Sequence, residues 1–112
     1  MSAQSHVLLS LPIKATAALT ANRFATLIGA LPAAGAGGAG VAMMDAAIGE
    51  FTSVAVIGTR QVEAGAAIAA GALVEADVNG RAITKAAGVA LGRALEAAGA
   101  LGDVIEVLLA SN

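Results

Sequence analysis

The run LVEADVNGRAITK, from Leu73 to Lys85, decides how the chain folds. Asn79-Gly80 stands near its centre, and this pair is the favoured two-residue loop of a β-hairpin because both central positions of such a loop take positive φ. Pairing outward sets Val78 opposite Arg81, Ala76 opposite Ile83 and Val74 opposite Lys85 on a mainly apolar face. Glu75, Asp77, Ala82 and Thr84 then share a wet face, since successive strand residues alternate sides.

Further extended segments lie on either side. FTSVAVI, Phe51 to Ile57, alternates, slips at Gly58 and resumes as TRQVE to Glu63, which predicts a bulge at Gly58. DVIEVLL, Asp103 to Leu109, puts Ile105, Val107 and Leu109 on one face and Val104, Glu106 and Leu108 on the other, the mark of an interior or interface strand. The best helical window is ALGRALEAAG, Ala90 to Gly99, which Gly92 limits to about two turns.

Three blocks also recur in order. AALTANRFATL at Ala17 aligns with AAIAAGALVEA at Ala66, AGVAM at Ala39 with AGVAL at Ala87, and GEFTSVAV at Gly49 with GDVIEVLL at Gly102. The series predicts a single β domain over 15–112 made of two similar β halves, about 15–58 and 65–110, with 1–14 as an N-terminal arm outside the repeat. That arm is expected to order on contact with a partner. The fold class is mainly β, a small barrel or sandwich of two similar β halves with at most one short helix.

Composition removes several functions. Of 112 residues, 31 are Ala and 14 Gly, against 34 Val, Leu, Ile, Met and Phe, so the core is aliphatic and thin. Burying more apolar surface between subunits is the natural remedy, and oligomerisation is expected. Two Phe with no Trp or Tyr leave no stacking platform, and six Lys+Arg against eight Asp+Glu leave no basic excess, which excludes nucleic-acid binding. The absence of Cys and a lone His6 exclude thiolate and histidine metal sites. MSAQSHVLLSLPIKA has no positive n-region and is broken by Ser10 and Pro12, so a secretory signal is not expected and a reducing cytoplasm is. The charge-free stretch from Phe24 to Met44 is long enough to span a bilayer, but Pro32 and its many glycines make it a poor helix, and no aromatic belt or basic flank marks an interface.

No residue emerges as catalytic, cofactor-binding or metal-ligating. Gly35 to Gly40 satisfies the dinucleotide pattern G-x-G-x-x-G, yet neither a buried strand before it nor a helix after it supplies the context, so a tight loop is expected. Glu75 with Asp77 sits on the wet face of the hairpin, and Asp103 with Glu106 begins at a turn. Ser2, Ser5, Ser10, Ser53 and Ser111 lack a nucleophile elbow, and one His in the arm cannot complete a triad. Lys85 lies past the hairpin turn, not at its tip where a lipoyl or biotinyl group is carried.

VAVIGTRQVEAGAAIAAGALV at Val54 to Val74, the Asn-Gly turn, GVAL at Gly88 to Leu91 and AGALGDVIEVLL at Ala98 to Leu109 together resemble the phage capsid cement, or head decoration, family. The resemblance runs from about Ala17 to Leu109. It implies a non-enzymatic, mostly β virion protein without cofactors that forms a homotrimer on the outer surface of a mature icosahedral head. There it would bind the major capsid protein and stabilise the shell against internal DNA pressure, after passing through the host cytoplasm during assembly. The competing reading is a small β ligand-binding or carrier module of clip or hammerhead type.

Overall fold

The computed structural model describes residues 5–109, and among these the regular structure is strand alone. The strands are β1 (His6–Lys14), β2 (Phe24–Ala25), β3 (Gly40–Ala42), β4 (Phe51–Glu63), β5 (Leu73–Ala76), β6 (Ala82–Thr84), β7 (Gly92–Ala94) and β8 (Val104–Leu109). They form one antiparallel sheet in the order β2-β3-β4-β8-β7-β5-β6, with β1 laid along β4. The sheet curls into a nearly closed, barrel-like body.

β4 is the spine. Its first part pairs with β1 and, at Val54 and Ala55, with β3; from Thr59 to Glu63 it pairs with β8. The changeover falls at Gly58, whose φ of 112° and contact with the His6 carbonyl leave no room for a side chain. The β1–β4 register shifts on either side of Leu9, so the skipped residues are Leu8 and Val56 and the irregularity lies next to Gly58, which itself pairs with Val7, and not at it.

The repeat is written in the hydrogen bonds. Leu19 bridges Ala46 in the first half as Ile68 bridges Ala98 in the second. Ala15 N–H donates to Glu50 O (2.8 Å) as Ala64 N–H donates to Asp103 O (2.7 Å), and Asn22 N–H donates to Ala42 O as Gly71 N–H does to Ala94 O. Even the left-handed positions match, Asn22 with Gly71 and Gly49 with Gly102. The first and third sequence blocks therefore correspond in space. The middle one does not: Ala25 pairs with Gly40 as Val74 pairs with Gly92, so Gly40 corresponds to Gly92 and not to Gly88. Extra residues in the arms of the β5–β6 hairpin, Glu75 and Ala76 among them, displace the later half of the repeat.

That tip also corrects the hairpin register. Asp77 O accepts from Gly80 N–H (3.0 Å), and Asp77 Oδ1 accepts from the N–H groups of Asn79 and Arg81, both at 2.8 Å. The loop is thus a turn closed by the Asp77 carboxylate, with Gly80 alone left-handed and Asn79 not. Val74 faces Thr84, Glu75 faces Ile83 and Ala76 faces Ala82, one residue away from the expected pairing. A one-residue slip exchanges faces, so Ala82 joins Val74 and Ala76 in the core while Glu75 is buried elsewhere instead of standing in water.

Two other expectations change. Ala90 to Gly99 is not a helix: Leu91 N–H donates to Val74 O and Ala94 N–H to Ala72 O, so strand pairing overrides the local preference of Ala, Leu and Glu. Residues 6–14 of the expected arm form β1, and they parallel the last stretch of β4, since Ile13 faces Thr52 as Val62 faces Ile105. Met1 to Gln4 lie outside the described residues.

Each half has its own core. Ile13, Ala15, Leu19, Ala25, Ala42 and Val54 fill the first; Val62, Ala64, Ile68, Val74, Ala94 and Val107 occupy the corresponding places in the second. Phe24, from the first half, packs into the second core. The halves are tied there by Phe24 N–H to Gly80 O (2.7 Å), Gly35 N–H to Ala76 O (2.8 Å) and an Arg23–Glu63 ion pair (3.2 Å).

Candidate functional site

The residues with chemical potential are held in structural work. Glu75, 7% exposed, accepts from the N–H groups of Ala86 (2.6 Å) and Gly88 (3.0 Å) and so pins the loop between β6 and β7. Asp77 closes the hairpin tip and pairs with Arg81 Nε at 3.1 Å. Asp103 Oδ2 accepts from Gly99 and Ala100 N–H, and Glu50, its counterpart in the first half, accepts from Ala47 N–H. Lys85 Nζ donates to Ala86 O beyond the end of β6. Neither acidic pair is assembled with a nucleophile, and among the described residues no group of three or more His, Asp or Glu gathers where a metal could sit.

Arg60 is the least comfortable charge. Its Nη2 donates to Asn22 Oδ1 (3.0 Å) and Met43 O (3.3 Å), while Nε is buried without a partner. Desolvation lowers its pKa from the ordinary value. The guanidinium bridges the left-handed turn at Asn22 to the residue after β3, which is a structural duty.

The glycine-rich loop has a physical explanation. Gly35 is left-handed and lies against the Gly88 backbone, so the return loops of the two halves touch with no side chain between them. Val89 N–H donates to Gly35 O at 2.8 Å. Gly37 and Gly38 line a groove, and no helix follows to hold a pyrophosphate. The Phe24 to Met44 stretch is accordingly β2, this loop and β3; no helix among the described residues is long and apolar enough to cross a membrane.

The groove is the surface that the sequence did not announce. It has a volume of about 490 Å³ and is walled by Leu9 and Leu11 of β1, Val56 and Ile57 of β4, and Leu27 and Gly38 of the connection between β2 and β3. Beside it runs β1, whose strand pairing among the described residues is with β4 alone. Pro12, which has no N–H to give, fits such an edge strand. From Val7 to Ile13 the strand carries no charge, and Leu8, Leu9 and Leu11 are exposed, Leu8 at 80%. Monomeric proteins guard a strand edge with charge or cover it; an apolar patch left open marks a place of association. The sequence signal for this surface is the absence of charge over 7–13 and 24–44, the second of which is also long enough to suggest a membrane span.

No curated protein matches the chain. Its fold is similar to that of the head fiber gp8.5 N base in bacteriophage phi29, with 23% sequence identity, a TM-score of 0.74, and coverage of 91% of this chain and 93% of that one. The model of the phage cement protein family matches residues 3–109, both halves of the repeat and the spine strand between them included. With nearly the whole chain matched, this doubled β domain belongs to the phage cement protein family, structural proteins of the phage head.

Proposed function

We propose that the chain is a decoration protein that binds as a homotrimer to the outer surface of a mature icosahedral head, bridging neighbouring major capsid subunits. The observation that carries the reading is the family match over 3–109 on a domain whose apolar groove and strand edge stand open while its carboxylates are spent on turns. The head-associated neighbour in fold is in keeping with it.

The mechanism is linkage, without turnover. A ligand that binds only the expanded lattice stabilises that lattice by RT ln(1 + [L]/Kd), about 2.7 kcal/mol per site at a free concentration of 100 Kd. Summed over many sites, modest binding resists the pressure of packaged DNA. The site of residence is the virion, after a stay in the host cytoplasm during assembly.

Co-sedimentation with expanded and with unexpanded empty heads tests the reading. Saturable binding to expanded heads alone is expected; equal binding to both, or to neither, refutes it.

A further inference from the structure

We propose that the groove of the first half is the contact between copies of this chain, filled by the edge of a second copy's β1 that carries the outward-facing Leu8. The inference rests on the self-association in the proposed function and names the surface responsible for it.

The repeat supplies the first argument. Ala39 N–H donates to Ala25 O as Leu91 N–H donates to Val74 O, so Ala39 and Leu91 are counterparts, while Thr26, which bonds Ala30 as Asp77 bonds Arg81, follows Ala25 directly where the second half inserts Glu75 and Ala76. In the second half Leu91 is buried in the core and the inserted Glu75 is buried against the return loop, bonded to Ala86 and Gly88. In the first half the short side chains of Thr26 and Ala39, with Gly37 and Gly38, leave a groove open. One half closes its groove with its own side chains and the other does not.

The second argument is charge. The stretches 7–13, 24–44 and 51–59 contain no Asp, Glu, Lys or Arg, and all three meet at the groove. An uncharged lining asks for an uncharged occupant. Among the described exposed apolar residues, Met44, Ile48, Leu95 and Leu101 stand next to or within two positions of an acidic residue at turns. The β1 run instead combines Leu8, 80% exposed and outside the groove lining, with a strand edge unpaired among the described residues and no charge.

The third argument is the order of events. A decoration protein waits free in solution before it meets a shell, and an open groove beside an unguarded edge would aggregate during that wait. The most apolar surface is therefore the one covered early, by sister copies. A strand of one copy in the groove of the next is a head-to-tail contact, which closes into a ring when the rotation permits.

Sedimentation velocity over a range of concentrations tests this with Leu8→Lys, Leu27→Lys and Ala39→Leu, the last giving the first half the residue of the second. Leu101→Lys, exposed in the other half, is the control, and far-UV circular dichroism confirms the β spectrum of each variant. The wild-type chain is expected to assemble, each of the three variants to weaken assembly by at least about tenfold in Kd, and the control to match wild type. If Leu8→Lys and Leu27→Lys fold and assemble like wild type, the inference fails while self-association stands. If they assemble normally but no longer bind heads, the groove faces the shell and the inference fails equally. A wild-type chain that stays single at every concentration overturns the self-association reading itself.

Discussion

The two halves of this chain share a backbone plan and differ in how each completes it. The second half carries a longer hairpin between β5 and β6, whose tip reaches the first half through Gly80 O and Phe24 N–H. It buries Glu75 and Leu91, and its ring is closed where Ala64 bridges Ala82 and Gly65 N–H donates to Ala82 O. The first half closes the same ring with a tight turn, Thr16 N–H donating to Gly29 O, and leaves a groove where small residues replace large ones. Duplicating a fold halves the design problem, and a few side chains then convert one copy from self-contained to receptive.

The comparison can be broken most forcefully at Phe24. It is a first-half residue buried in the second-half core, so Phe24→Ala should cost about 3–5 kcal/mol, most of the stability of a small domain, and both halves should melt together in urea. Separate transitions would show that the halves are independent.

Glu75, in the extension that only the second half has, and Thr26, at the turn that follows β2 directly in the first, sharpen the contrast. Glu75→Ala strands the N–H groups of Ala86 and Gly88, a loss of about 3 kcal/mol, whereas Thr26→Ala removes a hydroxyl that bonds only Ala30 and should cost about 1 kcal/mol by the same measurement. Equal effects would argue against the asymmetry.

Gly71 and Asn22 offer a finer test. Both are left-handed, with φ of 85° and 66°, and nothing within 4 Å would touch a Cβ at Gly71. Gly71→Ala should therefore cost about 1–2 kcal/mol from backbone strain alone. Gly71→Asn, borrowing the residue used by the other half, should cost less, since Asn tolerates that region. Chemical denaturation of the two variants side by side decides it.

Much of the architecture was legible because strand alternation and the ordered blocks at Ala17 and Gly49 are backbone signals that survive an alanine-rich composition. That β4 is irregular near Gly58 was readable for the same reason, but the skipped residues are Val56 of β4 and Leu8 of β1, and Gly58 itself faces Val7. The hairpin register was not readable, because Asn79-Gly80 suggests a two-residue loop and only the carboxylate of Asp77, capturing two N–H groups, makes it longer. That single error carried Glu75 to the wrong face and hid its burial. The helix at Ala90 failed where tertiary pairing outweighed propensity. The groove could not be read from either half alone; it becomes visible when Ala39 is set against Leu91, and that correspondence depends on the true register.

In the proposed function the chain stabilises a head by occupying it. Expanded, DNA-free heads heated with increasing concentrations of the chain provide the most direct measurement. The disruption temperature should climb steadily with the logarithm of free chain once binding is established, as linkage requires. Heads that carry the chain at full occupancy yet fall apart at the temperature of bare heads would contradict the account.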